Sequence, residues 1–237
     1  MTNPQQIPVS RPQKLFGKTA LVTGADGGFG RASALALARA GAQVLVHHAG
    51  AEIETCAVVE QIRQGGGRAQ KICAELRSPD GARELAIKAR EVVGCRLGLL
   101  VFTAAIPQPM AMHELAVDDF NDQVAANVRA PMFLIRHLQP ILCSGSSIQW
   151  VSRKSCPSDA SMMGYAATQG ALEALAQVFS RTLGSKGVRV NTLSVDRAAM
   201  PDDIAAALVF LASDDARWMT GSVLRVGSGK RRRVCEL

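Results

Sequence analysis

The sequence predicts a single α/β domain built on a doubly wound parallel sheet of about seven strands. Short apolar runs alternate with helix-length segments along the whole chain, which is typical of right-handed strand–helix–strand crossovers. Apolar residues make up 48% of the 237 residues, as expected for strands buried on both faces. A glycine-rich turn between the first strand and the first helix is the third observation, because sheets of this class often begin in this way.

Each element is predicted from its apolar pattern and its flanking turn residues. The expected strands are Lys18–Thr23, Ala42–His47, Arg68–Cys73, Leu97–Thr103, Ser146–Ser152, Val188–Leu193 and Ser222–Val226. The expected helices are Gly28–Ala40, Ala51–Gln64, Pro79–Val93, Asp118–Leu142, Tyr165–Leu183 and Pro201–Ala212. Pro79 suits a first helical turn, and the helix from Asp118 should be interrupted or shifted near Pro131.

The domain is expected to span residues 15–229. Residues 1–14 are polar and contain prolines, which predicts a flexible N-terminal arm. Residues 230–237 form a basic tail that begins with four consecutive cations, Lys230 to Arg233, and the net charge is +7. Such a tail can contact nucleic acid, but a solvated terminus is the favoured interpretation because no nucleic-acid-binding motif accompanies it.

Composition also indicates the compartment. No stretch of about 18 residues is free of charge and proline, and the N-terminus has no apolar signal segment, so neither a membrane span nor secretion is expected. Six cysteines are scattered without any C-x-x-C pair. They predict free thiols in a reducing cytoplasm and no metal site.

The glycine-rich turn is Thr23–Gly30, and it follows a strand and opens a helix. Glycines let the backbone approach a pyrophosphate, and the helix N-terminus supplies amide donors and a partial positive charge. The turn therefore predicts a dinucleotide site. The alternative is a glycine turn kept for packing, without a ligand.

The spacing of Thr23, Gly24, Gly28 and Gly30 resembles that of the short-chain dehydrogenase/reductase family. The resemblance extends from about Leu15 to Gly229 and includes, in order, Asn127, Ser152, Tyr165 and Thr220-Gly221. It implies a Rossmann-type fold that uses NAD or NADP to reduce a small-molecule carbonyl or oxidise an alcohol.

The resemblance also implies a set of cofactor contacts. These are Thr23, Gly24, Asp26, Gly28, Phe29 and Gly30 in the turn, Glu75 beside the adenine, and Ala104 after the fourth strand. No carboxylate follows the second strand, which favours NADP over NAD. There His47 and His48 can contact a phosphate, although histidines at a strand end are more often simply exposed.

In the family, an Asn, a Ser, a Tyr and a Lys act together, and the resemblance places Asn127, Ser152 and Tyr165 in the first three roles. The fourth position holds Gln169, four residues after Tyr165 and therefore on the same helix face. Gln169 can hydrogen-bond a ribose hydroxyl but carries no charge. A neighbouring cation is worth about 3 kcal/mol at 5 Å, or about two units of tyrosine pKa. Arg153 or Lys154 offers an alternative source of that charge.

Three further departures from the family pattern weaken the predicted site. Phe102–Ala105 replaces the family's Asn-Asn-Ala-Gly and is expected to add bulk near the cofactor. Val195-Asp196 replaces a Pro-Gly pair. The tens of residues that form a substrate lid in the family are missing, because Met200 leads directly into the helix at Pro201.

Two hypotheses follow. The first is a reductase or alcohol dehydrogenase with an altered site and weak or no activity, or full activity through a non-standard site. The second is a catalytically silent subunit of a complex with an active relative. In either case the apolar faces of the two long helices predict a homo-oligomer, dimer or tetramer.

Overall fold

The structure is a computed structural model that describes residues 13–103, 113–153, 160–196 and 199–227. Seven strands form one sheet in the order β3-β2-β1-β4-β5-β6-β7, and every neighbouring pair is parallel. The strands are β1 Thr19–Thr23, β2 Gln43–His48, β3 Arg68–Cys73, β4 Leu99–Phe102, β5 Ser147–Arg153, β6 Arg189–Val195 and β7 Val223–Val226. The predicted doubly wound parallel sheet is therefore confirmed.

Helices cover both faces of the sheet. They are α1 Gly28–Arg39, α2 Glu52–Gln64, α3 Gly81–Val93, α4 Val117–Val124, α5 Ala130–Leu138, α6 Met163–Gly184 and α7 Pro201–Ala212. A π-helical turn, Ala125–Arg129, joins α4 to α5, and short 3₁₀ turns follow α5, precede α6 and follow α7. No helix in these described ranges has the length and apolarity needed to cross a membrane.

One helix prediction needs correction. Pro79 lies outside α3, which begins at Gly81, because residues 75–81 form two successive turns closed by Ser78 N–H to Glu75 C=O and Gly81 N–H to Ser78 C=O. The predicted interruption of the long helix near Pro131 is confirmed. Pro131 has no N–H to offer the carbonyl four residues earlier, and the wider turn that accommodates it lies at Ala125–Arg129.

The two faces of the sheet pack into separate apolar cores. One core joins the sheet to α3, α5 and α6, and the other joins it to α1, α2 and α7. In the first core, Trp150 stacks on Phe102 with ring centroids 5.3 Å apart and on Phe179 at 6.1 Å. Phe102 therefore fills the core, so the expected added bulk near a cofactor does not come from its side chain.

The carboxyl ends of all seven strands lie at one edge of the sheet, because every strand runs in the same direction. The chain turns there after each strand, and ligands of open parallel sheets bind at this edge near the point where strand order reverses. In this sheet the reversal lies between β1 and β4. The glycine-rich turn after β1 is thus placed at that point.

The stacking of Phe102 on Trp150 leads to a prediction about stability. Phe102 is 3% exposed and Phe16 is 78% exposed, so the two residues form a matched pair. We expect Phe102→Ala to lower the free energy of unfolding by about 3–5 kcal/mol through the cavity it leaves, and Phe16→Ala to change it by about 0.5 kcal/mol or less. Denaturant titration measures both, and equal effects would show that the Phe102–Trp150 stack is not part of the core.

Candidate active site

The glycine-rich turn has a tight backbone that favours glycine at one position and excludes any side chain at another. Gly24 has φ +61°, a conformation that favours glycine. A Cβ at Gly30 would lie 2.0 Å from the Gly24 carbonyl oxygen and 2.6 Å from Thr103 Oγ1. The first turn of α1 therefore packs directly against the start of the turn.

Thr103 holds this turn from the β4 side. Its hydroxyl donates to the Thr23 carbonyl at 2.5 Å, and its N–H donates to Thr23 Oγ1 at 3.3 Å. Sequence analysis noted Thr103 only as the replacement of an asparagine. A hydroxyl at the carboxyl end of the strand next to the turn is the signal that could have identified it.

His47 holds the turn from the β2 side. Gly24 N–H donates to His47 Nδ1 at 3.1 Å, and His47 Nε2 lies 3.0 Å from the Ala74 carbonyl oxygen. His47 and His48 are only 1% and 4% exposed, so the expectation of exposed histidines is wrong. Burial lowers the pKa of His47 to about 4, although the hydrogen bond to Ala74 acts in the opposite direction. Both ring nitrogens of His47 thus contact the protein backbone.

The turn fits a pyrophosphate. Helix α1 begins at Gly28 with no side-chain cap and no acidic residue in its first turn, an arrangement that suits an anion at its N-terminus. A Cβ at Gly27 would meet no atom within 4 Å, so the space beside the turn is open. Asp26 and Phe29 are half-buried at its rim.

Glu75 follows β3, as predicted, and its carboxylate is already engaged. Arg77 donates to Glu75 Oε1 from its backbone N–H at 2.9 Å and from its side chain at 3.4 Å. Arg77 also lies 3.6 Å from the Asp122 carboxylate on α4. Ala104, predicted as a cofactor contact, lies outside the described residues.

Asn127 lies in the π-helical turn and is fully buried. Its Nδ2 donates to Thr168 Oγ1 at 3.1 Å, and the Thr168 hydroxyl donates to the Tyr165 carbonyl at 2.8 Å. Asn127 is therefore linked to the helical turn that begins at Tyr165. Thr168, which sequence analysis passed over, makes this link.

Ser152, Tyr165 and Gln169 are all buried, with exposures of 3%, 2% and 6%. Ser152 lies near the end of β5, paired with Ser194 of β6. Tyr165 and Gln169 lie one turn apart on the buried face of α6. The structure thus brings Asn127, Tyr165 and Gln169 together through α6.

The amide of Gln169 is the unusual group of this site. Neither its Nε2 nor its Oε1 has a hydrogen-bond partner among the described residues. The same holds for Gln123 on α4, whose Oε1 would lie 3.0 Å from a Cβ at Gly164. A buried amide without partners is costly, so this position suits a ligand hydroxyl or a water. Arg153 ends β5, but Lys154 and the Arg153 side chain are outside the described part of the chain.

The connection from β6 to α7 is short. Strand β6 ends at Val195, and α7 begins at Pro201. Asp196 N–H donates to the Val226 carbonyl at 2.8 Å, which fastens the start of the connection to β7. Met200, at its end, is 63% exposed, and Met163 at the start of α6 is 41% exposed. The connection is thus five residues long, from 196 to 200.

Gly30 and Gly27 form a matched pair for testing the turn. We expect Gly30→Ala to lower the free energy of unfolding by about 1–3 kcal/mol, since its Cβ would overlap Gly24, and to weaken NADP binding about tenfold or more. Gly27→Ala should fold normally, because Gly27 has an extended backbone with open space around it. Thermal unfolding and calorimetric titration measure both effects. Normal folding and binding of Gly30→Ala would contradict the close packing.

Comparison with known proteins agrees with this site. Residues 18–196 match the family model described as short chain dehydrogenase. The chain is 33% identical to an uncharacterised oxidoreductase of Methylorubrum extorquens, over 92% of this chain and 99% of that protein. That alignment is 249 residues long, more than the 237 of this chain, so the relative has residues with no counterpart here.

Solved structures give the same result. A promiscuous reductase that catalyses keto-reduction at C1 during lugdunomycin biosynthesis is 32% identical with a TM-score of 0.86, over 92% of this chain and 98% of that one. An angucycline C-6 ketoreductase with bound NADP is 32% identical with a TM-score of 0.84, over 91% and 96%. With its glycine turn, its buried Asn, Ser and Tyr and its sheet order, this chain belongs to the short-chain dehydrogenase/reductase family.

Proposed function

We propose that this chain binds NADP and reduces a small-molecule ketone slowly or not at all, because the position one helical turn after Tyr165 holds the uncharged Gln169. The observation that carries the proposal is the buried, unpartnered amide of Gln169 on the same face of α6 as Tyr165. The amide suits a ribose hydroxyl, which supports cofactor binding. It cannot stabilise a tyrosinate as an ammonium does, which supports slow proton transfer.

Two observations favour NADP over NAD. The residues that follow β2, Ala49 and Gly50, carry no carboxylate that would repel a 2′-phosphate. The similar angucycline ketoreductase was solved with NADP, and its substrate class suggests a ketone for this chain as well.

Each side chain has a distinct proposed role. The nicotinamide, when bound, supplies or accepts the hydride. Tyr165 transfers the proton at the carbonyl oxygen, Ser152 orients that oxygen, and Asn127 positions Tyr165 through Thr168. With Gln169 instead of a cation one turn from Tyr165, we expect a loss of about a hundredfold in rate.

A silent subunit is the second candidate function. It is supported by the five-residue connection from β6 to α7, which is shorter than the substrate lid that the family resemblance implies there. Full activity through a non-standard site would require a charge from Arg153 or Lys154. The free thiols of Cys56, Cys73, Cys95 and Cys143 support a reducing, cytoplasmic location for either function.

Calorimetric titration with NADP, NADPH, NAD and ADP-ribose tests the proposal. We expect ADP-ribose to bind within about tenfold of the whole dinucleotide, because the turn is intact and the nicotinamide side has lost its usual contacts. Whole cofactor binding a hundredfold tighter would contradict the impaired nicotinamide side. No binding of any nucleotide would favour the silent subunit.

Replacing Gln169 tests the source of the slow rate. Gln169→Lys returns a cation one turn from Tyr165 and should lower the pKa of that tyrosine. We nevertheless expect turnover of ketones with NADPH to rise less than about tenfold, because the five-residue connection from β6 to α7 is too short to form a lid that would hold the substrate at hydride-transfer distance and exclude water. Gln169→Met is the uncharged control. A gain of several hundredfold would show that the missing cation was the sole defect.

Exposed apolar residues on the long helices predict a homo-oligomer. Val117 and Phe120 on α4, Met132 on α5 and Val178 on α6 are 75%, 37%, 36% and 57% exposed. We expect a dimer or tetramer by light scattering at micromolar concentration, and dissociation on Val178→Asp. Ile53→Asp on α2, where Ile53 is 83% exposed, is the matched control. A monomeric wild type would refute this interface.

A further inference from the structure

Hydrogen bonds of the His47 ring and of the backbone of His47 and His48 connect the carboxyl ends of β1, β2 and β3. Ala25 N–H donates to the His47 carbonyl at 2.9 Å, and Gly24 N–H donates to His47 Nδ1 at 3.1 Å. Two successive amides of the glycine-rich turn therefore end on one residue of β2. On the other side, Ala74 N–H donates to the His48 carbonyl at 3.1 Å, and the Ala74 carbonyl oxygen lies 3.0 Å from His47 Nε2.

These partners fix the tautomer of His47. A backbone N–H can only donate, so Nδ1 must be unprotonated, and a backbone carbonyl can only accept, so Nε2 must carry the hydrogen. The titratable groups that act on the ring are His48 on β2, Asp26 in the turn and Glu75 after β3. Burial keeps the pKa of His47 near about 4, so the neutral Nε2–H form persists at physiological pH.

We propose that His47 is a positioning residue for the cofactor: its ring sets the Gly24 amide, and so the entrance of the phosphate-binding turn, relative to the end of β3. This inference rests on the proposed NADP binding. Thr103 fixes Thr23 from the β4 side through two hydrogen bonds, while the β2 side depends on the His47 ring and carbonyl. Loss of the Nδ1 acceptor would free the Gly24 amide and let the turn shift.

Two conservative variants separate the two bonds of the ring. In His47→Asn, the amide oxygen replaces Nδ1 as the acceptor for Gly24, and the bond to Ala74 is lost. In His47→Gln, the longer amide replaces Nε2 as the donor to Ala74, and the acceptor for Gly24 is lost. Each variant loses one buried hydrogen bond, so the two should lose similar thermal stability, and a purely structural role would not distinguish them.

Binding of ADP-ribose and NADP is the first measurement. We expect His47→Asn to bind both within about threefold of wild type and His47→Gln to bind both about tenfold more weakly, the order expected for one hydrogen bond. Equal affinities in two folded variants, or tighter binding by His47→Gln, would overturn the proposal.

Hydrogen exchange of the Gly24 amide, followed by NMR, is the second measurement and needs no ligand. We expect slow exchange in wild type and His47→Asn and exchange about tenfold faster or more in His47→Gln. If wild type bound no nucleotide, the proposed function would fail, and the exchange rates alone would still decide whether His47 sets the turn. Equal exchange in all three proteins would overturn it.

Discussion

The packing of α1 against its own entry turn is the constraint on which the rest of the site depends. Gly30 approaches the Gly24 carbonyl more closely than any side chain allows, so the helix N-terminus and the strand end are fixed at one separation. Thr103 and His47 then secure the turn to the strands on either side. A ligand at this turn meets a backbone that is already ordered, and little conformational entropy is lost on binding.

The other side of the site is organised differently. Asn127, Thr168 and the Tyr165 carbonyl form a buried chain of hydrogen bonds between the π-helical turn and α6. Gln169 on α6 and Gln123 on α4 have side-chain amides without described partners. The glycine-rich turn is thus held by hydrogen bonds from the protein itself, whereas the two glutamine amides on the other side of the site have no described partners. A ligand that spans both sides would supply hydrogen-bond partners to those amides.

Sequence reasoning predicted the strands to within a few residues, because strands buried on both faces produce unbroken apolar runs between turn signals. It was less reliable for the environment of a side chain, which depends on the face of the sheet to which that side chain points. The side chain of Phe102 follows a strand pattern that does not reveal which face it occupies, and the structure places it in the core against Trp150.

The histidines were wrongly expected to be exposed, and the contacts of the two threonines were missed, for a related reason. Polar residues at a strand end are usually solvated, but β3 lies beside β2, so His47 is enclosed and its ring bonds Ala74. Thr103 donates to the Thr23 carbonyl on β1, and Thr168 accepts from Asn127 in the π-helical turn, and such pairings between elements have no signature in residue spacing. The helix interruption near Pro131 was predicted, but its bounds, Ala125–Arg129, depend on how the helix accommodates the missing N–H of the proline.

The order of the strands has a consequence for how the site is assembled. Strands β1 to β3 wind outward in one direction and β4 to β7 in the other, and the two halves of the sheet meet at the β1–β4 pairing. The glycine-rich turn, His47 and Glu75 belong to the first half, and Asn127, Ser152, Tyr165 and Gln169 belong to the second. The exposed connection after α3, at Gly94 to Arg96, is the only covalent join between them. If the chain were cleaved at this connection, neither fragment would carry the whole site. Cofactor binding would then require the two fragments to reassociate, and its recovery would measure that reassociation.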